Sequence, residues 1–431
     1  MSENRSGGLI GRFVRWATKI EPHELGVTLL SFAFLFALMF AYNILKPVRD
    51  AMAPDWSDVD VAVLWTINFV FSAIAVSAYG LAVSRIPLKY VVPGVYGFFA
   101  ASFALFYVGV HAFEDVTHIE MAFFVWISLF SLFHVSVFWS LMSDIFSRQQ
   151  APRLFAFIAS GASFGTIAGS AATVVLVKLV GWQSLMLAAA IILVLIVPIV
   201  GMLRNLQERN TQSSDIRQPD HNDSVSGSPL AGFSEFVKNP FLLGIAAFIF
   251  LYTTVGSFAW FEIKNLLEPF GRDERTQIWA TINLTVSSIA IVTAMFATSR
   301  IATRFGLART LALVPFLVAM GLLLVAANPL LFAVLGIWVV LKSGNYAITR
   351  PAREMLYTIV DREARFKAKP VIDIVVYRGG DTLAGWVFAG LTAGLSLGLG
   401  AVAAIGAVIA FVWAVVGLYL GRAYDRVSEE D

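Results

Sequence analysis

Stretches of about twenty apolar residues recur along this chain, and they decide what it can fold into. In hydrocarbon, every backbone N–H and C=O must find its partner within the chain, so each stretch becomes a membrane-crossing helix. The runs fall at roughly 25–46, 60–84, 91–111, 119–142, 154–178 and 183–203, then at 240–261, 277–298, 308–327, 330–349, 371–394 and 399–421. Between the two sets, from Arg204 to about Glu235, lies a segment rich in Ser, Asn, Gln and Asp with no apolar period, which reads as a mostly disordered linker. Six runs, a linker and six runs predict an all-α polytopic membrane protein with twelve transmembrane helices in two six-helix bundles. The bundles would span 25–203 and 236–421, joined by the linker 204–235 and followed by a tail 422–431. In the leading segment 1–24, Leu9, Phe13, Trp16 and Ile20 share one helical face. That segment reads either as an interfacial helix or as a frayed tail. The first apolar run is too long for a cleavable signal and lacks a small-residue cleavage site.

Orientation follows from where Lys and Arg fall in the short loops. Arg85 and Lys89, Arg148 and Arg153, Arg204 and Arg209, Arg300, Arg304 and Arg309, Arg350 to Lys369, and Arg422 and Arg426 all lie in alternate loops. The intervening loops are acidic, as at Glu114 and Asp115, or almost uncharged; Lys46–Asp60 and Glu262–Arg275 are mixed. Both termini are therefore expected in the cytoplasm. An internal repeat agrees with two bundles: SRIPLKYVVPGV begins at Ser84 after helix 2, and SRIATRFGLARTLALVP begins at Ser299 after helix 8. Short basic turns at these two places resemble those of the major facilitator superfamily, without its acidic-glycine form.

The composition excludes several kinds of chemistry. There is no cysteine, hence no disulfide, thiol nucleophile or cysteine-based metal site. His23, His111, His118, His134 and His221 show no metal-ligand spacing. No phosphate-binding glycine loop, nucleophile elbow or paired catalytic carboxylates occur. We expect no enzyme, metal, cofactor or nucleic-acid partner.

What remains is charge at membrane depth, which is expensive and marks function unless it is paired or reaches the interface. Four places stand out. At the end of helix 1, Tyr42 to Asp50 holds Asn43, Lys46, Arg49 and Asp50; Lys46 and Asp50 are four apart and share a face, and Pro47 kinks or ends the helix. The cluster either snorkels to the outer interface or holds two cations at a cavity mouth for an anion. Glu262 and Lys264 close helix 7 near the predicted outer boundary, where an interfacial or structural role fits best. Lys342 and Tyr346 lie inside the run of helix 10. Arg378 and Asp381 lie about two turns into helix 11, three apart, with Gly379 and Gly380 loosening the helix between them. A structural ion pair remains open for the last two places. Asp144, Arg148 and Arg153 suggest a cytoplasmic gating relay between helices 4 and 5. Gly161, Gly165 and Gly169 form a stripe suited to helix packing, and His134 reads as a core histidine.

The stretch from Lys342 to Asp381 carries the most sequence character. Lys342, Tyr346, Pro351, Arg353, Glu354, Met355, Tyr357, Asp361, Lys367, Lys369, Ile372, Asp373 and Arg378 fall in step with a segment of the nucleotide transporter family, the ATP/ADP translocases of plastids and intracellular bacteria. Ile20-Glu21, Tyr42 to Asp50 with its Arg49-Asp50 pair, and Phe138-Trp139 in helix 4 resemble that family as well. Three departures accompany the likeness. The family's helix 4 glutamate has no counterpart in Trp126-Ile127-Ser128-Leu129. Its helix 7 glutamate would fall near Ser257 to Trp260, where Glu262 is close but shifted. Its Phe-Asp-Pro is Thr349-Arg350-Pro351, a reversal of charge.

The resemblance implies a twelve-helix secondary transporter of a bacterial inner membrane, monomeric, moving an anionic solute such as a nucleotide by alternating access. Lys46, Arg49, Lys342 and Arg378 would bind the anion, with Tyr42, Asn43 and Tyr346 beside them. Asp50, Asp381, Asp373, Glu262 and Lys264 would form coupling or ion-pair positions, and Asp144, Arg148, Arg153, Arg353 and Glu354 gating positions. The alternative is a proton-coupled carrier of a non-nucleotide solute, with Asp381, Asp50 or His134 holding the proton.

Overall fold

The computed structural model describes residues 20–21, 23–147, 149–212, 239–296, 298–360 and 371–430, and among them it contains helices and turns only. Ten stretches are long and apolar enough to cross a membrane. One of them, Ala151–Leu206, is 56 residues long and turns at Gly181, whose φ of 75° is open to glycine alone. It therefore supplies two crossings. Adding the helical stretch 371–394 gives the twelve expected helices.

In chain order these are α1 (Leu25–Met52), α2 (Asp58–Arg85), α3 (Leu88–Ala112), α4 (Thr117–Ile145), α5 (151–180), α6 (182–212), α7 (Pro240–Leu266), α8 (Arg272–Phe296), α9 (307–327), α10 (331–356), α11 (371–394) and α12 (Leu399–Glu430). A second positive-φ glycine, Gly306, starts α9 after a short helix.

Several boundaries differ from those the sequence suggests. Pro47 does not end α1, which runs on through Met52. α6 continues to Gln212, past the predicted linker start, and α12 continues through most of the predicted tail. Apolar runs stop where the hydrocarbon stops, whereas polar helix formers let the helix continue beyond it. Residues 350–356, in a segment placed by its charge between helices 10 and 11, continue α10. Residues 361–370 lie outside the described residues, as do 1–19 and 213–238.

The chain forms two compact units, and neither is simply one half of the sequence. Unit 1 comprises Met1–Asp50, Phe71–Asp220 and Arg272–Thr281; unit 2 comprises Ala51–Val70, His221–Gly271 and Ile282–Asp431. Each thus includes one end of a helix from the other run of six. In unit 1 the glycine stripe of α5 lies on α1. A Cβ at Gly161 would stand 2.7 Å from the Phe32 carbonyl oxygen and one at Gly169 2.6 Å from that of Phe40, with Gly165 against Phe36 tighter still. Only glycine permits this approach, the packing the stripe predicts. In unit 2, α9 and α12 approach similarly closely, with Gly400 against Ala326 and Gly421 against Ala308.

Candidate functional site

Lys342 lies in the last turn of the first segment of α10, and the helix widens immediately after it. Asn345–Thr349 is a π-helical segment, as are Val371–Val376 and Gly390–Gly394 in α11. A π segment re-aims the side chains beside it and recurs at functional sites. The Lys342 ammonium is 4.4 Å from the Trp338 ring centroid, one turn earlier on the same face, and 5.2 Å from that of Tyr252. It donates to the Tyr252 hydroxyl at 3.3 Å. Gly256, one turn along α7 from Tyr252, makes room, since a Cβ there would sit 3.4 Å from the ammonium. Tyr377 of α11 adds a third ring, 6.2 Å from that of Tyr252.

Among the described residues no carboxylate pairs with Lys342. Asp381 accepts from Ser257 Oγ at 3.3 Å. Two aromatic faces contribute about 0.5–2 kcal/mol each to holding a cation, less than the several kcal/mol that taking a charge out of water costs. The cage orients the ammonium without neutralising it.

The expected pair between Arg378 and Asp381 is not formed. Gly380 lets α11 press against Thr253 of α7, and that face carries Asp381 to Ser257. Arg378 is half-buried. Tyr346 is exposed, Arg353 is buried with Glu354 at 3.8 Å, and the side chain of Asp373 lies outside the described residues.

In unit 1 the sequence-predicted cluster is brought together, with different pairing. Asp50 is 1% exposed. Arg49, rather than Lys46, takes its carboxylate, through Nε at 2.9 Å and Nη2 at 2.5 Å. The guanidinium is held from its other side by Ser128 Oγ at 3.1 Å and lies 5.2 Å from the Phe124 ring centroid. Ser128 stands in the stretch where the resembling family has its glutamate. Lys46 is half-buried. The Asn43 amide is committed to packing, donating to the Met39 carbonyl at 2.8 Å and to Thr166 of α5 at 3.2 Å. The Tyr42 ring lies 4.6 Å from that of His134, tilted by 33°, and His134 is buried as a core histidine would be.

Arg153 bonds Glu24, just before α1, at 2.9 Å, and Gln150 donates to the same carboxylate at 2.9 Å. The close α1–α5 packing brings Glu24 there. Burial pushes its carboxyl up, but the Glu21 N–H, Gln150 and Arg153 together outweigh this and hold it below the ordinary range. Asp144 is exposed, Arg148 lies outside the described residues, and Arg153 of the expected relay pairs with Glu24.

Two further clusters join partners far apart in sequence, one at Lys264, which the sequence singled out without its partner, and one at Arg272, in a segment of mixed charge. In unit 2, Lys264 donates to Asp58 at 2.9 Å and to Asn265 at 3.0 Å, while Thr392 and Asn265 complete the coordination of Asp58 at 2.8 and 3.3 Å. Lys264 and Glu262 are both buried, at 3% and 1% exposed. In unit 1, Arg272 grips Glu120 with both terminal nitrogens, one at 2.7 Å, and lies 5.0 Å from the ring centroid of Trp182, whose backbone N–H donates to Asp273 at 2.8 Å.

The model of the Major Facilitator Superfamily matches residues 27–352. No curated protein matches the chain. Among solved structures, the nucleoside transporter NupG is similar with a TM-score of 0.61 at 13% identity, covering 94% of this chain and 99% of that one. An auto-inhibited peptide transporter of the POT family gives 0.61 at 10% identity, covering 92% and 96%. A bacterial homologue of the human lysosomal transporter Spinster gives 0.53 at 12%, covering 94% and 97%. These likenesses show a shared fold, and with the family model matched over most of its length the chain belongs to the Major Facilitator Superfamily.

Proposed function

We propose that this protein is a secondary active transporter that moves an anionic solute, a nucleotide or related phosphorylated metabolite, across a bacterial inner membrane by alternating access, as a monomer. The observation that carries this reading is Lys342, a half-buried ammonium caged by Trp338 and Tyr252 and paired with no described carboxylate. A phosphate would supply the missing counter-charge through charge-assisted hydrogen bonds. The rings around it would supply a face for a base, and Tyr346 and Arg378 are the further candidates for contact. The likeness of 342–378 to the ATP/ADP translocases supports a nucleotide, and a nucleoside transporter is among the structures of the same fold.

Thermal unfolding of the detergent-purified protein across nucleotides, phosphorylated metabolites and organic anions tests this, because binding to the folded state raises the melting temperature by mass action. A nucleotide should raise it in the wild type and not in Lys342→Ala. Equal stabilisation of both proteins would sink the assignment of Lys342, and silence toward every anion would sink the anion reading.

A further inference from the structure

Polar side chains inside a straight helix commonly satisfy themselves on a carbonyl one turn back. Asn43 does so on Met39 at 2.8 Å, and Ser343, next to Lys342, does so on Val339 at 2.6 Å. Asn345 and Thr349 of α10 do not. Asn345 opens the π-helical segment and Thr349 closes it. The Asn345 N–H is shared between the carbonyls of Leu341 and Lys342, and its own carbonyl accepts from the Arg350 N–H, five residues on. Its backbone is fully used, whereas its side-chain amide makes no hydrogen bond among the described residues. In a straight helix Thr349 would find the Asn345 carbonyl one turn back. The π segment gives that carbonyl to Arg350, and Thr349 Oγ is buried with no partner. The two residues are 7% and 2% exposed. Polar groups buried this far are hydrogen-bonded almost without exception, so each unsatisfied one needs a reason.

Their position supplies one. Asn345 stands three residues after Lys342, one turn along the side of α10 that carries Trp338 and the lysine. An amide offers a donor and an acceptor side by side. An ionised phosphate only accepts, so it would satisfy the amide nitrogen and leave the oxygen stranded. A nucleobase edge carries a donor next to an acceptor and meets both. We propose that Asn345 is a specificity-determining residue of the Lys342 site, giving one hydrogen bond to the solute's base and receiving one from it, while the lysine takes the phosphate. Thr349 Oγ is the further polar group on that side of α10. The inference rests on the anion reading and adds which part of the solute this helix distinguishes. The π segment is what makes the recognition available, because in a straight helix the amide and the hydroxyl would turn back onto carbonyls.

Titration calorimetry on the detergent-purified full chain tests this with two probes, ADP and inorganic pyrophosphate, which carries the charge without a base. The wild type should bind ADP more tightly than pyrophosphate. Asn345→Leu, close in size and unable to hydrogen-bond, should weaken ADP at least about tenfold and pyrophosphate by less than about twofold. Lys342→Ala should weaken both probes, which separates the two roles. An equal loss of ADP and pyrophosphate in Asn345→Leu overturns the proposal, since the residue would then only support the cage. Unchanged ADP binding in that variant overturns it as well. If the leucine variant does not fold, Asn345→Ser is read in the same way, and an unchanged ratio of the two affinities overturns the proposal. The anion reading fails differently. A wild type that holds pyrophosphate as tightly as ADP removes the base contact and keeps the anion site, whereas a wild type that binds neither removes the anion site and the base contact with it.

Discussion

Unit 2 contains two lysines that touch α7, and their surroundings differ in kind. Lys264 is enclosed by a carboxylate and a side-chain amide, and the Asp58 it binds is itself held by Thr392 and Asn265. Lys342 has two rings and one phenol. The first arrangement is complete: each charge has its partner, and the pair ties the start of α2 to the end of α7. The second leaves a positive charge for something else to satisfy. A lysine at membrane depth is therefore not one kind of evidence, and its partners decide whether it points to structure or to a ligand.

The largest effect should come from breaking the complete arrangement. Lys264→Ala strands Asp58 in a buried place, and removing one member of such a pair costs about 3–5 kcal/mol. Thermal unfolding in detergent should show a fall well beyond that of any other single change discussed below. Replacing Asp58 and Lys264 together by Leu and Met should recover much of the loss. If the single and double variants unfold alike, the pair contributes no more than an exposed one.

Arg49 extends the comparison to unit 1. It satisfies Asp50 as Lys264 satisfies Asp58, but its side chain is 17% exposed, so water can replace part of what is lost. Arg49→Ala should destabilise by about 2–3 kcal/mol, and adding Asp50→Asn should return most of it. Failure of the second change to rescue would mean that Arg49 acts through Ser128 or Phe124 instead.

Lys342→Ala should behave in the opposite way. It removes ring contacts worth about 0.5–2 kcal/mol but also an incompletely neutralised charge, so the free protein should change by less than about 1 kcal/mol. Stabilisation by the bound anion should vanish. A large loss of stability in the free protein would place Lys342 with Lys264 as a structural cation and erase the distinction.

These contrasts divide along what a linear sequence carries. The twelve helices were legible because hydrocarbon imposes one requirement on every crossing, and a run of apolar residues meets it wherever it occurs. The glycine stripe of α5 was legible because its spacing is local to one helix face. Lys342 was legible as an anomaly, since a lysine in an apolar run needs a reason. Its lack of an acid partner was not, because Asp381 was equally available in sequence and is turned to Ser257 by the close approach of Gly380 to Thr253. Pairs such as Lys264 with Asp58, separated by 206 positions, leave no periodic trace. Nor do the π segments, which depend on how neighbouring helices seat the inserted residue. The linker start was misplaced because leaving the membrane and leaving the helix are separate events.

The smallest effect concerns the ion pair at the start of α1, where pH is the probe. Glu24 accepts from the Glu21 N–H at 3.0 Å, from Gln150 and from Arg153, and these bonds hold its carboxyl below its ordinary value of 4.5 despite burial. The folded state thus binds this proton less readily than the unfolded state does. The stabilisation from Glu24 is then complete above about pH 4.5 and is lost as pH falls through the lower folded value. The Arg153 side chain is 31% exposed, so solvent screens the pair and its share should stay below about 1 kcal/mol. Unfolding midpoints measured from pH 6 down to pH 3 should fall for the wild type, and Glu24→Gln should fall less steeply over the lower part of that range. The same double comparison in 1 M salt should shrink the difference, since a pair with one partly exposed member is screened more than the buried one at Lys264. Parallel curves for the two proteins at low salt would show that Gln150 and the Glu21 N–H hold the neutral acid as well as the ion. The Arg153 contact would then be a surface pairing without consequence for stability.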